Sequence, residues 1–303
     1  MLRFFAFLCG WLLACLPASA AGIMLGAFAG ANGKDTYSSF TALESQIGHS
    51  LAIDAIYMPF EFNSFGHMSR LKQDIAAGRT LMISWGDLLP GGTTCATAAD
   101  IVAGRYDSEV KTLAQALKSL GGRILLRFRW EMEASRSQMS CFYGGKTDPK
   151  STGAAYVAAW DHLRAIFIGV SATNIEWVWC PTSLSYLNNQ WQYYFPGSFN
   201  LEWIGEDIYN NGLPVSIGDS TRFTEFYSAT SGYGKPLIIC ETGASTDAAQ
   251  VAWWQSMETI LPSYPALRAV AAWDASAGYN YIFGTQGVAA FGALAADPNF
   301  QGN

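Results

Sequence analysis

Two glutamates each follow a strand-like apolar run, and such a pair can do acid–base and nucleophilic chemistry. Glu131 comes at the end of the run that begins near residue 123, and Glu241 comes directly after the four apolar residues 237–240. A carboxylate in this position is costly to bury unless it is paired or used. Two carboxyl groups that face one cavity suit retaining glycoside hydrolysis, in which one donates a proton to the leaving oxygen and the other attacks the sugar carbon. We therefore take Glu131 and Glu241 as the candidate catalytic pair.

The two glutamates also have a structural interpretation, and other chemistries would leave recognisable motifs in the sequence. For either glutamate alone, the alternative is a buried ion pair with Arg127 or Arg129. The chain has no Gly-x-Ser-x-Gly motif, which argues against an esterase. Its histidines, His49, His67 and His162, do not have the spacing of metal ligands. The sequence therefore predicts neither a metal nor a cofactor.

The elements that must position the pair are eight apolar runs that alternate with amphipathic segments. The runs are nearly continuous, which indicates strands covered on both faces and hence a parallel sheet. We predict strands over residues 23–29, 52–58, 80–85, 123–130, 175–180, 203–209, 236–240 and 267–273, and helices over 107–120, 154–168, 222–231 and 247–261. This order predicts an α/β fold, a single-domain (β/α)8 TIM barrel, whose reactive groups project from the carboxyl ends of the strands. The alternative, an open doubly wound sheet, lacks its Gly-rich phosphate turn after the first strand.

Composition and charge exclude several classes of protein to which the chain could belong. The chain has 303 residues, of which 50% are apolar and 14% charged, which excludes a disordered chain. Its formal net charge of −6 argues against a nucleic acid partner. Residues 1–20 combine one arginine, an apolar run and a closing Ala-Ser-Ala, which predicts a signal peptide. No later stretch is apolar enough to span a membrane. We therefore expect a secreted or periplasmic monomer with its catalytic domain over residues 21–303.

Four cysteines follow residue 20, and their surroundings differ. Cys95 and Cys141 lie in polar, loop-like segments, whereas Cys180 and Cys240 lie in apolar strand-like runs. A buried free thiol is the usual state in such a run. Because an exported protein meets an oxidising compartment, we predict one disulfide, between Cys95 and Cys141.

Seven segments of the chain, taken together, match the sequence pattern of a known protein family. They are residues 127–133, 154–162, 173–179, 194–197, 203–209, 234–236 and 239–243. In this order they resemble glycoside hydrolase family 26, the β-mannanase-type barrels. The resemblance implies a retaining endo-β-glycanase that acts on a polysaccharide, with its acid/base and nucleophile at the ends of the fourth and seventh strands.

The resemblance also implies roles for individual residues. Glu131 takes the acid/base position and Glu241 the nucleophile position. Arg127 matches an arginine that keeps the nucleophile ionised, a task that suits a guanidinium because it stays charged. Asp207 and Tyr209 match an Asp-x-Tyr pattern in which the tyrosine orients the nucleophile. Trp85 and Trp273 match tryptophans that end the third and eighth strands and can form the floor under a sugar ring. With Trp130 and Trp179, they complete the expected substrate-binding set. For Trp85 and Trp273 the alternative is plain core packing.

Three positions depart from the family pattern. Trp130 replaces a histidine before the acid/base, Glu133 replaces an asparagine after it, and Cys180 replaces another asparagine. Because indole donates one hydrogen bond but cannot accept one, Trp130 argues against plain β-mannan as the preferred substrate. The alternatives are β-mannan itself, a β-glucan, a xylan or a bacterial exopolysaccharide. Outside the enzymes, the alternative is an inactive barrel that binds glycans.

Overall fold

The computed structural model describes residues 22–31, 35–61, 68–89, 94–134, 141–211, 215–277 and 279–302. The signal peptide predicted over residues 1–20 lies outside these ranges. Within them, no helix combines the length and the apolar character that crossing a membrane requires.

Eight parallel strands close into a barrel, which confirms the predicted (β/α)8 fold. Each strand pairs with its successor in the chain, and the eighth pairs with the first. The strands are β1 Met24–Ala29, β2 Ile53–Met58, β3 Thr80–Trp85, β4 Ile124–Phe128, β5 Ile175–Trp179, β6 Trp203–Asn210, β7 Leu237–Ala244 and β8 Leu267–Asp274. A short antiparallel pair, β9 Ser276–Ala277 and β10 Tyr279–Asn280, follows β8.

The described residues contain ten α-helices, nine in the connections between the barrel strands and one after β10. They are α1 Tyr37–Ile47, α2 Met68–Ala76, α3 Ala98–Val102, α4 Asp107–Ser119, α5 Pro149–Gly169, α6 Ser183–Leu187, α7 Trp191–Tyr194, α8 Thr221–Thr230, α9 Asp247–Ile260 and α10 Thr285–Ala296. Helix α5 begins five residues before its predicted start. The reason is local: the Asp148 side chain accepts from the Ser151 amide over 2.9 Å, and Pro149 suits a first helical turn.

Two apolar layers hold the barrel together. A small inner cluster fills the barrel and includes Met82, Leu125 and Ile238. A larger cluster lies between the strands and the surrounding helices and contains most of the buried aromatic side chains. The strands are therefore covered on both faces, which explains their nearly continuous apolar sequences.

Alternation along each strand assigns its side chains to one layer or the other. In β4, Ile124, Leu126 and Phe128 pack in the outer layer, whereas Leu125 packs inside the barrel. Arg127 also faces inward, where it reaches side chains from other strands. The inward positions near the carboxyl ends of the strands are thus polar, and they form the site described next.

Candidate active site

Arg127 is the centre of the polar network at the carboxyl end of the barrel, and its side chain is completely buried. Its guanidinium donates to Asp207 Oδ1 over 2.7 Å, to the Ser84 hydroxyl over 2.8 Å and to Oε1 of Glu241. Burial opposes this positive charge, but the carboxylates of Asp207 and Glu241 outweigh it and raise the pKa of Arg127. Arg127 is therefore a permanent cation that connects β3, β4, β6 and β7.

Glu241 lies inside β7 and not at its end, because β7 continues to Ala244, beyond the end predicted at residue 240. The pairing of β7 with β8 is irregular between Ile239 and Thr242, next to Glu241. Such irregularities are common beside active sites, where they redirect a side chain. The Glu241 side chain is 9% exposed and lines the cleft.

Two tyrosines donate to Glu241 in addition to Arg127. The Tyr57 hydroxyl lies 2.5 Å from Oε1, and the Tyr209 hydroxyl lies 2.7 Å from Oε2. Burial, together with the nearby Glu241 charge, raises the pKa of both tyrosines well above the usual value. Both hydroxyls thus keep their protons and serve as donors to the carboxylate.

Glu131 is placed by a turn that immediately follows β4. Arg129 and Glu131 both have left-handed backbone conformations, with φ values of 49° and 51°. Such values are unfavourable for side chains other than glycine and are typical of functional sites. The Arg129 amide donates to the Trp85 carbonyl over 2.9 Å, and the Glu131 amide donates to the Cys180 carbonyl over 2.8 Å. Backbone hydrogen bonds to both neighbouring strands therefore fix the direction of Glu131.

Three carboxyl groups converge at the mouth of the barrel. One carboxylate oxygen each of Glu131, Asp207 and Glu241 lies within 4.8 Å of the other two. Arg127 already supplies a positive charge to Asp207 and Glu241. We therefore interpret the group as a network of acids around a guanidinium and not as a set of metal ligands. Below it, the Cys180 thiol donates to Asp207 over 3.2 Å.

An open cleft of about 830 Å³ lies over this network. Its size suits a ligand of several sugar units or a similar molecule. The side chains that line it are mainly polar or aromatic and include Glu131, Glu133, Thr182, Ser185, Asn188, Gln190, Asp207, Tyr209, Asn211, Arg222, Glu241, Trp273 and Tyr281.

Two of the four predicted tryptophans lie at this site. Trp273 lines the cleft, with its ring 6.0 Å from Phe28 and 6.1 Å from Tyr209. Trp130 is half-buried, and the Arg127 guanidinium lies over its ring at 5.2 Å. Trp273 therefore has the exposure that contact with a sugar requires, and Trp130 packs against the group that binds Glu241.

The structure places the other two tryptophans in the core, which corrects their expected role as sugar contacts. Trp85 is completely buried, stacks on Phe60 at 5.2 Å and donates to the Phe60 carbonyl over 3.1 Å. Trp179 is also completely buried and packs edge-on against Phe195 at 5.0 Å. Both lie at outward positions of their strands, so they face the helices and not the cleft.

Glu133 connects two loops at the edge of the cleft. Its Oε1 accepts from both the amide and the hydroxyl of Thr182, over 2.7 and 2.5 Å. Burial raises the pKa of Glu133, and the hydrogen bonds from Thr182 partly oppose the rise. Because Thr182 caps α6, Glu133 ties the turn after β4 to the start of that helix.

Cys95 and Cys141 form a disulfide, the pair that the sequence favoured. Cys180 and Cys240 are free and buried. The disulfide joins the loop after β3 to the segment that precedes α5.

Tyr57 is a site residue that the sequence did not reveal, as are Ser84 and several polar residues that line the cleft. In the sequence Tyr57 lies in an apolar strand between Ile56 and Met58, where a tyrosine is expected to pack in the hydrophobic core. The sequence feature that could have identified it is its position in the alternation of inward and outward residues along β2. Tyr57 lies four residues from the inward-facing Ile53 and near the carboxyl end of the strand.

Comparison with known proteins gives limited sequence similarity. No family model matches the chain. Endoglucanase H from Acetivibrio thermocellus is 28% identical over 174 residues, which are 54% of this chain and 19% of that protein. The chain thus spans less than a fifth of the length of this curated relative.

Similarity to solved structures extends over most of the chain. A GH26 β-mannanase from Bacteroides ovatus has a TM-score of 0.67 at 17% identity and covers 93% of this chain and 90% of its own. A Bacillus subtilis mannanase has a TM-score of 0.65 at 16% identity, with coverages of 88% and 84%. A Cellulomonas fimi endo-β-1,4-mannanase has a TM-score of 0.67 at 16% identity, with coverages of 93% and 72%. The chain therefore has the barrel fold of the glycoside hydrolase family 26 β-mannanases.

Proposed function

We propose that the chain is a secreted retaining endo-β-glycosidase of the family 26 type, with Glu131 as acid/base and Glu241 as nucleophile. One observation carries the proposal: carboxylate oxygens of Glu131 and Glu241 lie within 4.8 Å of each other at the floor of an open cleft. Retaining glycosidases hold their two carboxyl groups about 5–5.5 Å apart, whereas inverting enzymes need about 6.5–9.5 Å to admit a water.

The surroundings of the two glutamates support different roles for them. Glu241 accepts hydrogen bonds from Arg127, Tyr57 and Tyr209, which together fix the orientation of its carboxylate. A carboxylate held in this way can attack the anomeric carbon. Glu131 lies on the turn that follows β4 and lines the same cleft, together with Thr182 and Ser185. It can give its proton to the leaving oxygen and later accept one from water.

Two classes of β-glycan are candidates for the substrate. The similar solved structures are mannanases, whereas the curated relative is an endoglucanase. Trp130, in place of a histidine beside the acid/base, favours a glucose-containing or other bacterial β-glycan over plain mannan. An inactive glycan-binding barrel is less well supported, because both carboxylates are present and converge.

The test is release of reducing ends from mannan, mixed-linkage glucan, xylan and bacterial exopolysaccharides. We expect at least one polymer to be cleaved, with the β-anomer formed first by NMR. Glu131→Gln should lower kcat by about 10²–10⁴-fold, the usual contribution of general acid–base catalysis, and Glu241→Gln should lower it at least as much.

Glu206→Gln is the matched control, because Glu206 is equally buried on β6 but does not line the cleft. It should leave the rate unchanged. Formation of the α-anomer would contradict retention, and glycan binding without cleavage would favour the inactive barrel.

A further inference from the structure

The two oxygens of the Glu241 carboxylate have unequal hydrogen bonding. Among the described residues, Oε1 accepts from both Arg127 and Tyr57, whereas Oε2 accepts from Tyr209. An oxygen with two donors, one of them a cation, carries more stabilised charge and is the poorer nucleophile of the two. The carboxylate is thus polarised before any substrate binds.

Tyr57 is held in place by its ring as well as by its hydroxyl. The ring packs edge-on against Phe28 at 4.8 Å and against Trp130 at 5.1 Å. Trp130 in turn lies beneath the Arg127 guanidinium. The Trp130 ring therefore packs against both donors to Oε1 and restricts their movement. Donors that are already in place need no reorganisation when the negative charge on the carboxylate changes.

We propose that Tyr57 is a positioning residue that holds Oε1 of Glu241, so that Oε2 is the atom that attacks the anomeric carbon. The inference rests on the proposed function and adds to it the orientation of the nucleophile. A lone pair of Oε2 forms the bond to the anomeric carbon as the bond to the leaving oxygen breaks. The electron pair of that bond goes to the leaving oxygen, which takes the proton of Glu131.

The same contact acts in the second step. In the glycosyl-enzyme ester, Oε1 is the carbonyl oxygen and still accepts from Arg127 and Tyr57. Water then attacks the anomeric carbon and gives a proton to Glu131, and the electron pair of the bond to Oε2 returns to Glu241. Both donors stabilise the carboxylate as it leaves. Loss of Tyr57 makes this carboxylate more basic, hence a better nucleophile but a poorer leaving group.

The charge around Glu241 otherwise stays the same when only the Tyr57 hydroxyl is removed. The titratable groups that face Glu241 from the surrounding strands and turn are Arg127, Glu131, Asp207 and Tyr209, with Cys180 below Asp207. All of these remain in Tyr57→Phe. A change in the pH profile of that variant therefore reports the missing hydroxyl.

The experiment compares Tyr57→Phe with wild type on 2,4-dinitrophenyl β-cellobioside and β-mannobioside, whose good leaving group makes the second step limit kcat. We expect kcat to fall roughly tenfold, the value of one hydrogen bond to a charged group. KM should fall in parallel, so kcat/KM at its plateau changes little. The acidic limb of kcat/KM should move to higher pH, because the ionised carboxylate loses one hydrogen-bond donor. Mass spectrometry of quenched reactions should find more glycosyl-enzyme.

The matched control is Tyr156→Phe, which removes a hydroxyl from a buried tyrosine outside the site that donates to the Phe128 carbonyl over 3.3 Å. Its KM and pH profile should match wild type. KM and the acidic limb do not depend on the fraction of folded enzyme, so partial misfolding cannot produce the expected changes.

If Tyr57→Phe shows the KM and pH profile of wild type, the role of Tyr57 is overturned while the proposed function stands. If wild type forms no glycosyl-enzyme and hydrolyses neither glycoside nor any of the polymers, the proposed function fails and this inference fails with it.

Discussion

The Arg127 guanidinium and the Asp207 carboxylate meet over 2.7 Å, and neither side chain is exposed to solvent. Arg127 also donates to Glu241, so Asp207 anchors the cation that orients the Glu241 carboxylate. A buried pair of this kind contributes little net stability compared with an apolar pair. Removing one partner, however, leaves an uncompensated charge. We therefore interpret the main role of the pair as fixing the position of Arg127 in the site, and not as stabilising the fold.

Asp207→Ala should lower the free energy of unfolding by about 3–5 kcal/mol, the usual effect of removing one partner from a buried ion pair. Urea unfolding measures this effect. Activity should fall as well, because Arg127 loses one of the groups that fix it. The control is Asp100→Ala, which breaks a bridge to Arg105, a side chain that is 70% exposed, and should cost less than about 1 kcal/mol. Equal losses in the two variants would contradict the anchoring role.

Glu206 gives a prediction about pH. Its side chain is fully buried, and neither carboxylate oxygen has a hydrogen-bond partner in the described part of the chain. Burial raises the pKa of Glu206 well above its usual value, and the charge of Arg222 opposes the rise only in part. The folded state therefore keeps a proton that the unfolded state releases above about pH 4.3, so this group makes stability fall as pH rises.

Glu206→Gln removes this dependence. Relative to wild type, its free energy of unfolding should increase by about 1.4 kcal/mol per pH unit from about pH 4.3 up to the raised pKa. Urea unfolding at pH 4 to 8 measures the difference, and Glu225→Gln, an exposed change on α8, should show no trend. A difference that stays constant with pH would contradict the protonated state of Glu206.

The sequence predicted the barrel because its signal is local. Each strand is a continuous apolar run, and each run is bounded by turn residues. The same signal predicted that Glu131 and Glu241 follow apolar runs. The end of β7 predicted at residue 240 was too early, because Glu241 and Thr242 interrupt the apolar pattern although the strand continues through them.

The side chains that face the cleft could not all be predicted, because they depend on the register between strands. Trp85 pairs with Phe128 and Ser84 pairs with Arg127, which sends Trp85 outward and Ser84 inward. Neither fact is visible in β3 alone, whose residues are all buried. Tyr57 was missed for the same reason: a tyrosine among apolar residues indicates core until its strand is aligned with its neighbours.

The disulfide gives a prediction about stability. Cys95 and Cys141 are 46 residues apart, and closing a loop of that length stabilises a protein by about 4 kcal/mol in the chain-entropy treatment. The variant with both cysteines changed to alanine should lose this amount in urea unfolding, and wild type in dithiothreitol should match it. The chain from residue 21 should titrate two thiols when unfolded without reductant. Four thiols would show that the bond is absent.

Trp130 gives a prediction about substrate choice. It precedes Glu131 in the chain and packs on Tyr57 and Arg127, the two donors to Oε1 of Glu241. A histidine there can donate to or accept from a sugar hydroxyl, whereas indole only donates and fills more space near the 2-hydroxyl, which is axial in mannose and equatorial in glucose. Polar groups built for one hydroxyl reject other partners most strongly.

We therefore expect wild type to have a higher kcat/KM on mixed-linkage glucan or a bacterial exopolysaccharide than on mannan. Trp130→His should shift the ratio of mannan to glucan kcat/KM toward mannan by roughly tenfold, within the range that one pocket contact supplies. Trp130→Phe keeps an aromatic surface under Arg127 without a polar atom, so it separates loss of that surface from gain of a hydrogen bond. It should keep the glucan preference even where its rate falls. If wild type cleaves mannan fastest, this interpretation of Trp130 is wrong, whereas the roles of Glu131 and Glu241 are unaffected.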